Sequence, residues 1–269
     1  MWFRHMKNGT VHVEDRSMDY IAFGGGVKNL VMIPGLSDGL KTVKGLAFPF
    51  AWMYRQLAKR FRIYSFSRAD RMPDGFTTRD MARDVKLAMA TLGIEKASVL
   101  GVSLGGMIAQ HLAADYPEAV DKLILAVTTA RQNETIRSCI ADWTELARMR
   151  DYKGLVIQTS EAAYSEAYLK KFRLTYPFLG IMPQPKSYDR YLVMSQACVT
   201  HDAYGVLDCI QAPTLVIGGE QDQIVGAAGS YELAERIPNS QCVMYPQYGH
   251  GAFEEAKNFQ TVVLNFLCN

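Results

Sequence analysis

Short apolar runs typical of β-strands alternate along this chain with amphipathic runs typical of helices. Seven strand-like runs are present: MDYIAF, NLVMIPG, FRIYSFS, ASVLGVS, KLILAVTT, PTLVIGG and SQCVMYP. Several are almost continuously apolar, as strands covered on both faces are. The amphipathic runs include FAWMYRQLAKR and TTRDMARDVKLAMATLG, in which Gly93 is expected at the C-terminal cap. This alternation predicts an α/β protein with a mostly parallel sheet flanked by helices.

The alternation breaks between residues 131 and 201, where the periodicity is helical and a strand pattern is hardly present. We predict a helical cap at 131–201, inserted into a core formed by 1–130 and 202–269. The tract FLGIMPQPKS is expected to link two cap helices, because Pro183 and Pro185 would break either one.

Large side chains are frequent in the predicted cap, and a few are expected to form an apolar pocket. These large residues are Trp143, Met149, Tyr152, Tyr164, Tyr168, Phe172, Tyr176, Phe178, Met182, Tyr188, Tyr191 and Met194. The predicted cap also contains Arg148, Arg150 and Arg173, so the question of whether the substrate is anionic is left open.

Composition narrows the class of protein. A chain of 269 residues, 49% of them hydrophobic, can bury one substantial core, so one domain with an insertion is expected. The 29 basic and 27 acidic residues nearly cancel and are scattered, which does not favour nucleic acid as a partner. The five cysteines include no C-x-x-C pair, and no signal peptide or membrane-spanning run is visible. We expect a cytoplasmic protein with a small-molecule substrate and no membrane partner, and a homo-oligomer is left open.

Ser103 is the first candidate for chemistry. It follows the strand-like run ASVLGV and lies in a G-x-S-x-G pattern, which is a weak signal alone. A serine hydroxyl becomes a nucleophile only beside a base that an acid orients. Asp222 follows the run PTLVIGG, and His250 lies between two glycines after the run SQCVMYP. Loops at the carboxyl ends of parallel strands gather at one sheet edge, so we predict that the three side chains meet there.

The order serine, aspartate, histidine on successive strand ends resembles the α/β-hydrolase family, and the likeness extends from about Tyr20 to Leu267. The resemblance implies an α/β-hydrolase fold with a mostly parallel eight-stranded sheet, flanking helices and an inserted helical cap. It also implies a nucleophile elbow, in which Gly101 and Gly105 leave space around a strained serine.

The resemblance further implies an oxyanion hole formed by the backbone N–H groups of Leu36 and Leu104. Leu36 lies in the loop MIPGLSDG, where Pro34 occupies a position at which many relatives have histidine. Because the expected donors are backbone groups, this departure removes no donor. No metal or cofactor is implied.

Other titratable residues compete for the catalytic roles. His111 lies eight residues beyond the serine, roughly 12 Å along a helix, and is expected on the helix surface or in packing. His201 with Asp202 is expected at a helix N-cap rather than in the pocket. Glu220 is an alternative acid, and Asp38 is expected to be a turn residue.

The resemblance therefore implies a carboxylesterase-like serine hydrolase, of class EC 3.1, that cleaves a small ester, thioester or lactone through an acyl-enzyme. Alternatives on the same triad are carbon–carbon bond hydrolases, cofactor-free haloperoxidase-like enzymes and a proton-abstracting lyase. A ligand receptor with the same fold is a further alternative. Dehalogenases and epoxide hydrolases are disfavoured, because the resemblance gives those enzymes an aspartate nucleophile where Ser103 stands.

Overall fold

A computed structural model describes residues 5–181 and 183–269 of the chain. Eight strands form one sheet in the order β1-β2-β4-β3-β5-β6-β7-β8. They are Lys7–Val13 (β1), Arg16–Phe23 (β2), Lys28–Ile33 (β3), Phe61–Phe66 (β4), Ala97–Val102 (β5), Val120–Ala126 (β6), Thr214–Gly219 (β7) and Ser240–Tyr245 (β8).

Helices follow most of these strands. The α-helices in the described residues are Ala47–Met53 (α1), Arg55–Ala58 (α2), Thr78–Thr91 (α3), Leu104–Asp115 (α4), Glu134–Arg148 (α5), Tyr152–Ala163 (α6), Glu166–Phe172 (α7), Asp189–Val199 (α8), Ala227–Arg236 (α9), Ala252–Glu255 (α10) and Phe259–Cys268 (α11). Turns of 3₁₀ helix span Leu36–Gly39, Pro117–Ala119, Arg173–Ile181 and Tyr204–Cys209. None of these helices combines the length and hydropathy needed to cross a lipid bilayer.

The sheet is antiparallel only where β2 pairs with β1 and β4, and its other pairs are parallel. This confirms the predicted mostly parallel, eight-stranded sheet. The seven strand-like runs correspond to β2 to β8, whereas β1 was not predicted. Only Val11 and Val13 of β1 are buried, so its sequence KNGTVHV lacks the apolar signal of an interior strand.

Apolar side chains fill both faces of the sheet. One cluster joins the sheet to α3, α4 and α9, as Val85, Ile108 and Leu233 show. The other joins it to α1, α2 and α11, and includes Leu57 and Val263. All residues of β5 and β7 are buried, as expected of central strands covered on both faces. The loops that follow the parallel strands therefore emerge together at one edge.

The chain between β6 and β7 is helical in the described residues, which here include 131–181 and 183–201. It contains α5 to α8, and its one recorded β-bridge pairs Arg131 with Asp202. The expected linker is shorter than predicted, because residues 178–181 belong to a 3₁₀ helix and only the stretch with Pro183 and Pro185 precedes α8. Met182 lies outside the described residues. The division into core and cap stays a prediction.

Candidate active site

Ser103 occupies a sharp turn between the end of β5 and the start of α4. Its backbone has φ 55° and ψ −122°, a conformation that non-glycine residues seldom adopt. Two glycines permit the turn. A Cβ on Gly105 would lie 1.9 Å from the carbonyl oxygen of Ile33, and one on Gly101 would lie 2.4 Å from that of Gly105. The turn holds the serine clear of the sheet.

A second strained residue, Val127, follows β6, and its neighbour Thr128 contacts the turn. Val127 has φ 47°, which is unusual for a β-branched residue, and its N–H donates to Ile217. The side-chain hydroxyl of the following residue, Thr128, donates to the carbonyl oxygen of Ser103 at 2.8 Å. Neither residue was singled out from the sequence, because neither lies in a motif.

The side chains of Asp222 and His250 come together with Ser103. The Nε2 atom of His250 lies 2.9 Å from Ser103 Oγ, and its Nδ1 atom lies 2.8 Å from Asp222 Oδ2. Asp222 follows β7 and His250 follows β8, so both come from the sheet edge at which Ser103 emerges. With Asp222 ionised, Nδ1–H donates to the carboxylate, and Nε2 is left to accept the serine proton.

The second oxygen of Asp222 is also occupied. Oδ1 accepts the backbone N–H groups of Ile224 at 2.8 Å and Val225 at 2.9 Å. Burial alone would raise the pKa of Asp222. The charge and hydrogen bond of His250, together with the two amides, outweigh burial and lower that pKa below its usual value. The carboxylate therefore stays ionised and fixes the imidazole orientation.

The backbone amides of Leu36 and Leu104 each begin a helical turn. Leu36 is the first residue of a 3₁₀ turn and Leu104 the first of α4, and the first N–H groups of a helix have no acceptor within it. Gly35 contacts the serine, since a Cβ there would lie 3.3 Å from Ser103 Cβ. Leu36 follows Gly35 and Leu104 follows Ser103 in the chain, and the role of their amides as oxyanion donors stays a prediction.

The loop that carries Leu36, residues 34–40, is held by an ionic network that the sequence did not predict. Asp38 is buried, and its Oδ2 accepts the backbone N–H of Arg68 at 2.8 Å and Nη2 of Arg190 at 2.7 Å. Arg190 comes from α8 and also donates to the carbonyl oxygen of Asp38 at 2.9 Å. Asp38 does lie in a turn, as expected, but it also ties this loop to α8.

Arg68 lies beneath the same loop and is almost completely buried. Burial lowers the pKa of its guanidinium to about 10, although the charge of Asp38 opposes that shift. Arg68 therefore remains a cation at neutral pH.

A cavity of about 360 Å³ opens onto Ser103 and His250. Its lining is mainly apolar and comes from both the core and the chain between β6 and β7. Apolar lining residues from that chain include Ile136, Ile140, Trp143 and Leu155. Of the large residues singled out from the sequence that the structure describes, Trp143, Tyr164 and Tyr191 line the cavity.

The competing histidines lie elsewhere. His111 and His201 are buried against each other, with ring centroids 5.4 Å apart, and neither lines the cavity. His111 is thus a packing residue rather than a surface one. Burial, followed by the nearby His111, lowers the pKa of His201 to about 3. Its Nδ1 atom lies 2.9 Å from Thr78 Oγ1.

The competing acids are also accounted for. Asp202 accepts the backbone N–H of Tyr204 at 3.0 Å, but the 3₁₀ helix that begins at Tyr204 has Ala203 as its N-cap residue, so the N-cap expected at His201 and Asp202 is not formed. Glu220 accepts a hydrogen bond from the hydroxyl of Tyr231 at the surface. Within the described ranges, no three His, Cys, Asp or Glu side chains converge as metal ligands would.

The family model described as alpha/beta hydrolase fold matches residues 28–257. The AB hydrolase superfamily protein YisY of Bacillus subtilis is 30% identical over 234 residues, which are 81% of this chain and 85% of that protein. The 2-hydroxy-6-oxononadienedioate/2-hydroxy-6-oxononatrienedioate hydrolase of Comamonas testosteroni is 29% identical over 202 residues, covering 70% of this chain and 68% of that enzyme.

A solved structure extends the likeness to the fold. The enol-lactonase from Burkholderia xenovorans LB400 superposes with a TM-score of 0.82 at 20% identity, covering 97% of this chain and all of that one. At this identity the likeness concerns the fold.

Proposed function

This chain belongs to the α/β-hydrolase family, and we propose that it is a serine hydrolase that cleaves a small carboxylic ester, thioester or lactone. The observation that carries the proposal is the hydrogen-bonded series from Asp222 to His250 to Ser103, with bonds of 2.8 and 2.9 Å. Such a series activates a serine hydroxyl for attack on a carbonyl carbon.

The proposed reaction has two halves. In the first, His250 takes the proton of Ser103 as Oγ attacks the carbonyl, and the amides of Leu36 and Leu104 donate to the resulting oxyanion. His250 then gives the proton to the leaving oxygen or sulfur, and an acyl-serine remains. In the second, His250 removes a proton from water as the water attacks the acyl group, and it then returns the proton to Ser103 Oγ as the acid is released. Asp222 stabilises the imidazolium in both halves.

The cavity favours a small and largely apolar substrate. Its volume of about 360 Å³ is near the lower end of the range usual for ligand sites, about 300–1,000 Å³. Ser103 is reached from inside this cavity, so the acyl or the alcohol part of a substrate would pack against Trp143 and Leu155.

A carbon–carbon bond hydrolase is the second candidate, because the relative from Comamonas testosteroni is named for a dienedioate. A dioate carries two carboxylates. The described residues that line the cavity include Glu254 but no lysine or arginine. This charge distribution favours the ester reaction over a dicarboxylate substrate.

The proposal is tested by turnover of p-nitrophenyl butyrate, a panel of thioesters and lactones, and the dienedioate. We expect ester or thioester hydrolysis in the wild type and its loss in Ser103→Ala, with the exposed Ser138→Ala on α5 as the matched control. Equal turnover in Ser103→Ala and the wild type would contradict the proposal. Hydrolysis of the dienedioate alone would favour the second candidate, and tight binding without any turnover would favour a receptor.

A further inference from the structure

The cavity contains a polar pair that the proposed reaction does not use. Glu254 lies on α10, four residues beyond His250, and Tyr164 lies at the C-terminal end of α6. The hydroxyl of Tyr164 donates to Glu254 Oε2 at 2.6 Å, and both residues line the cavity. We call these two residues the Tyr–Glu pair.

The Tyr–Glu pair lies on the same wall of the cavity as the base. The ring of Tyr164 covers Gly251, the neighbour of His250, since a Cβ on Gly251 would lie 2.5 Å from Cδ1 of that ring. The N–H of Gly251 donates to the carbonyl oxygen of Ala163 at 2.7 Å. A substrate with its carbonyl at Ser103 therefore shares its cavity with the Tyr–Glu pair.

Glu254 has one oxygen free to accept a hydrogen bond. Among the described residues, Tyr164 is the only side chain recorded as donating to its carboxylate, and that bond is made to Oε2. The side chain of Glu254 is exposed and lines the cavity. Partial desolvation by the surrounding protein raises the pKa of Glu254, the bond from Tyr164 opposes the rise, and the charge of Glu255 adds to it. A carboxylate in such surroundings is stabilised by a further donor, best by a cation.

The cavity offers no positive charge that would neutralise Glu254 or bind an anion. Of the described residues that line it, none is lysine or arginine. The three cap arginines named from the sequence do not line it. Arg148 pairs with Glu145 at the surface, and Arg173 pairs with Glu161 and with another surface glutamate. Because of these arginines the sequence was compatible with an anionic substrate. In the cavity such a substrate would contact no lysine or arginine among the described residues.

We propose that the Tyr–Glu pair is a subsite for a hydrogen-bond donor, an ammonium or hydroxyl group, on the part of the substrate remote from the scissile carbonyl. The negative charge of Glu254 at the same place disfavours a carboxylate. The inference rests on the proposed ester hydrolysis and narrows its substrate class to esters that carry a cationic or hydroxyl group.

Matched esters test the subsite on either side of the scissile bond. The alcohol series consists of butyrate esters of 2-dimethylaminoethanol, 3-methylbutanol and 3-hydroxypropanoate, which place an ammonium, an isopropyl or a carboxylate group at one position. The acyl series consists of methyl 4-dimethylaminobutyrate, methyl 5-methylhexanoate and monomethyl glutarate. A tertiary ammonium has one N–H to donate and cannot capture the acyl group. Acid release is followed in a pH-stat.

In at least one series we expect kcat/KM to fall from ammonium to isopropyl to carboxylate. In Glu254→Gln the ratio of ammonium to isopropyl ester should fall by about tenfold or more, the factor typical of a lost charged hydrogen bond. Glu255→Gln removes the adjacent charge, which faces Ser165 instead of the cavity, and should leave the ratio unchanged. An unchanged ratio in Glu254→Gln in both series would overturn the inference.

Binding to Ser103→Ala separates the subsite from the reaction. Calorimetric titration with the same esters requires no turnover, and the variants are first checked for melting temperatures near that of the wild type. Tighter binding of the ammonium ester, lost when Glu254→Gln is added, would support the subsite even if the wild type hydrolysed no ester and the proposed function failed. Equal binding of all three esters in each series would overturn the subsite even if the wild type were an active esterase.

Discussion

Replacing Arg190 by methionine is expected to lower kcat more than it changes KM, because Arg190 holds the loop 34–40 and does not line the cavity. Its guanidinium donates to Ala69 O at 3.1 Å, to Arg68 O at 3.0 Å, and to both the carbonyl and the carboxylate of Asp38. Methionine is long enough to fill much of the space but makes none of these bonds. The loop that presents the Leu36 amide then loses its hydrogen bonds to α8, although Gly39 still packs against Tyr191.

The expected loss of stability follows from the burial of the ion pair between Asp38 and Arg190. Breaking a buried ion pair costs about 3–5 kcal/mol, because the remaining charge is left unpaired. The Asp38 side chain is 1% exposed but that of Arg190 is 16% exposed, so we expect a loss of about 3 kcal/mol, at the lower end. Removing one oxyanion donor costs about 10²–10³ in kcat, and a displaced donor should cost less, about tenfold. Urea unfolding and steady-state hydrolysis of p-nitrophenyl butyrate measure the two effects.

Two further variants make the reasoning refutable. Arg173→Met removes exposed ion pairs on the same segment and should leave kcat and stability nearly unchanged. The double variant Asp38→Asn with Arg190→Met removes both charges. Its loss of stability should therefore be smaller than the sum of the losses measured for Asp38→Asn and Arg190→Met separately. Additivity within about 0.5 kcal/mol would show that the two residues do not couple. A raised KM with unchanged kcat in Arg190→Met would show that Arg190 serves binding rather than the oxyanion loop.

Two other predictions concern protons. Asp222→Asn should lower kcat on p-nitrophenyl butyrate by roughly 10⁴-fold, because the amide cannot stabilise the His250 imidazolium, and a loss of less than tenfold would contradict the assigned role. The folded-state pKa of His201, about 3, lies below the usual 6.5, so the unfolded chain binds a proton that the folded chain does not. This residue's contribution to the free energy of unfolding is present above pH 6.5. It should fall by about 2 kcal/mol as the pH is lowered from 7 to 5. Urea unfolding at both pH values should show a weaker loss in His201→Asn, and an equal loss would exclude this cause.

The sequence was sufficient to predict what depends on local pattern. Strands β2 to β8 carry continuous or alternating apolar residues, and the candidate triad follows from three polar residues that each come just after a strand. The β1 strand was missed because only its last residues are buried.

Contacts of helices α5 to α8 with the rest of the chain could not be predicted. Arg190 meets Asp38 across 152 positions of sequence, and Tyr164 meets Glu254 across 90. Each contact depends on how those helices pack on the sheet edge, and a single side chain in a periodic helix carries no signal of its distant partner. The sequence therefore left open whether Arg148, Arg150 and Arg173 face the pocket, and in the structure none of them lines it.

The central claim is that Ser103 is the nucleophile. Incubation with a fluorophosphonate, followed by digestion and peptide mass spectrometry, tests it directly. We expect one phosphonyl adduct, on Ser103, formed in parallel with the loss of esterase activity and absent from Ser103→Ala. An adduct on a different residue, or full esterase activity in Ser103→Ala, would contradict the account.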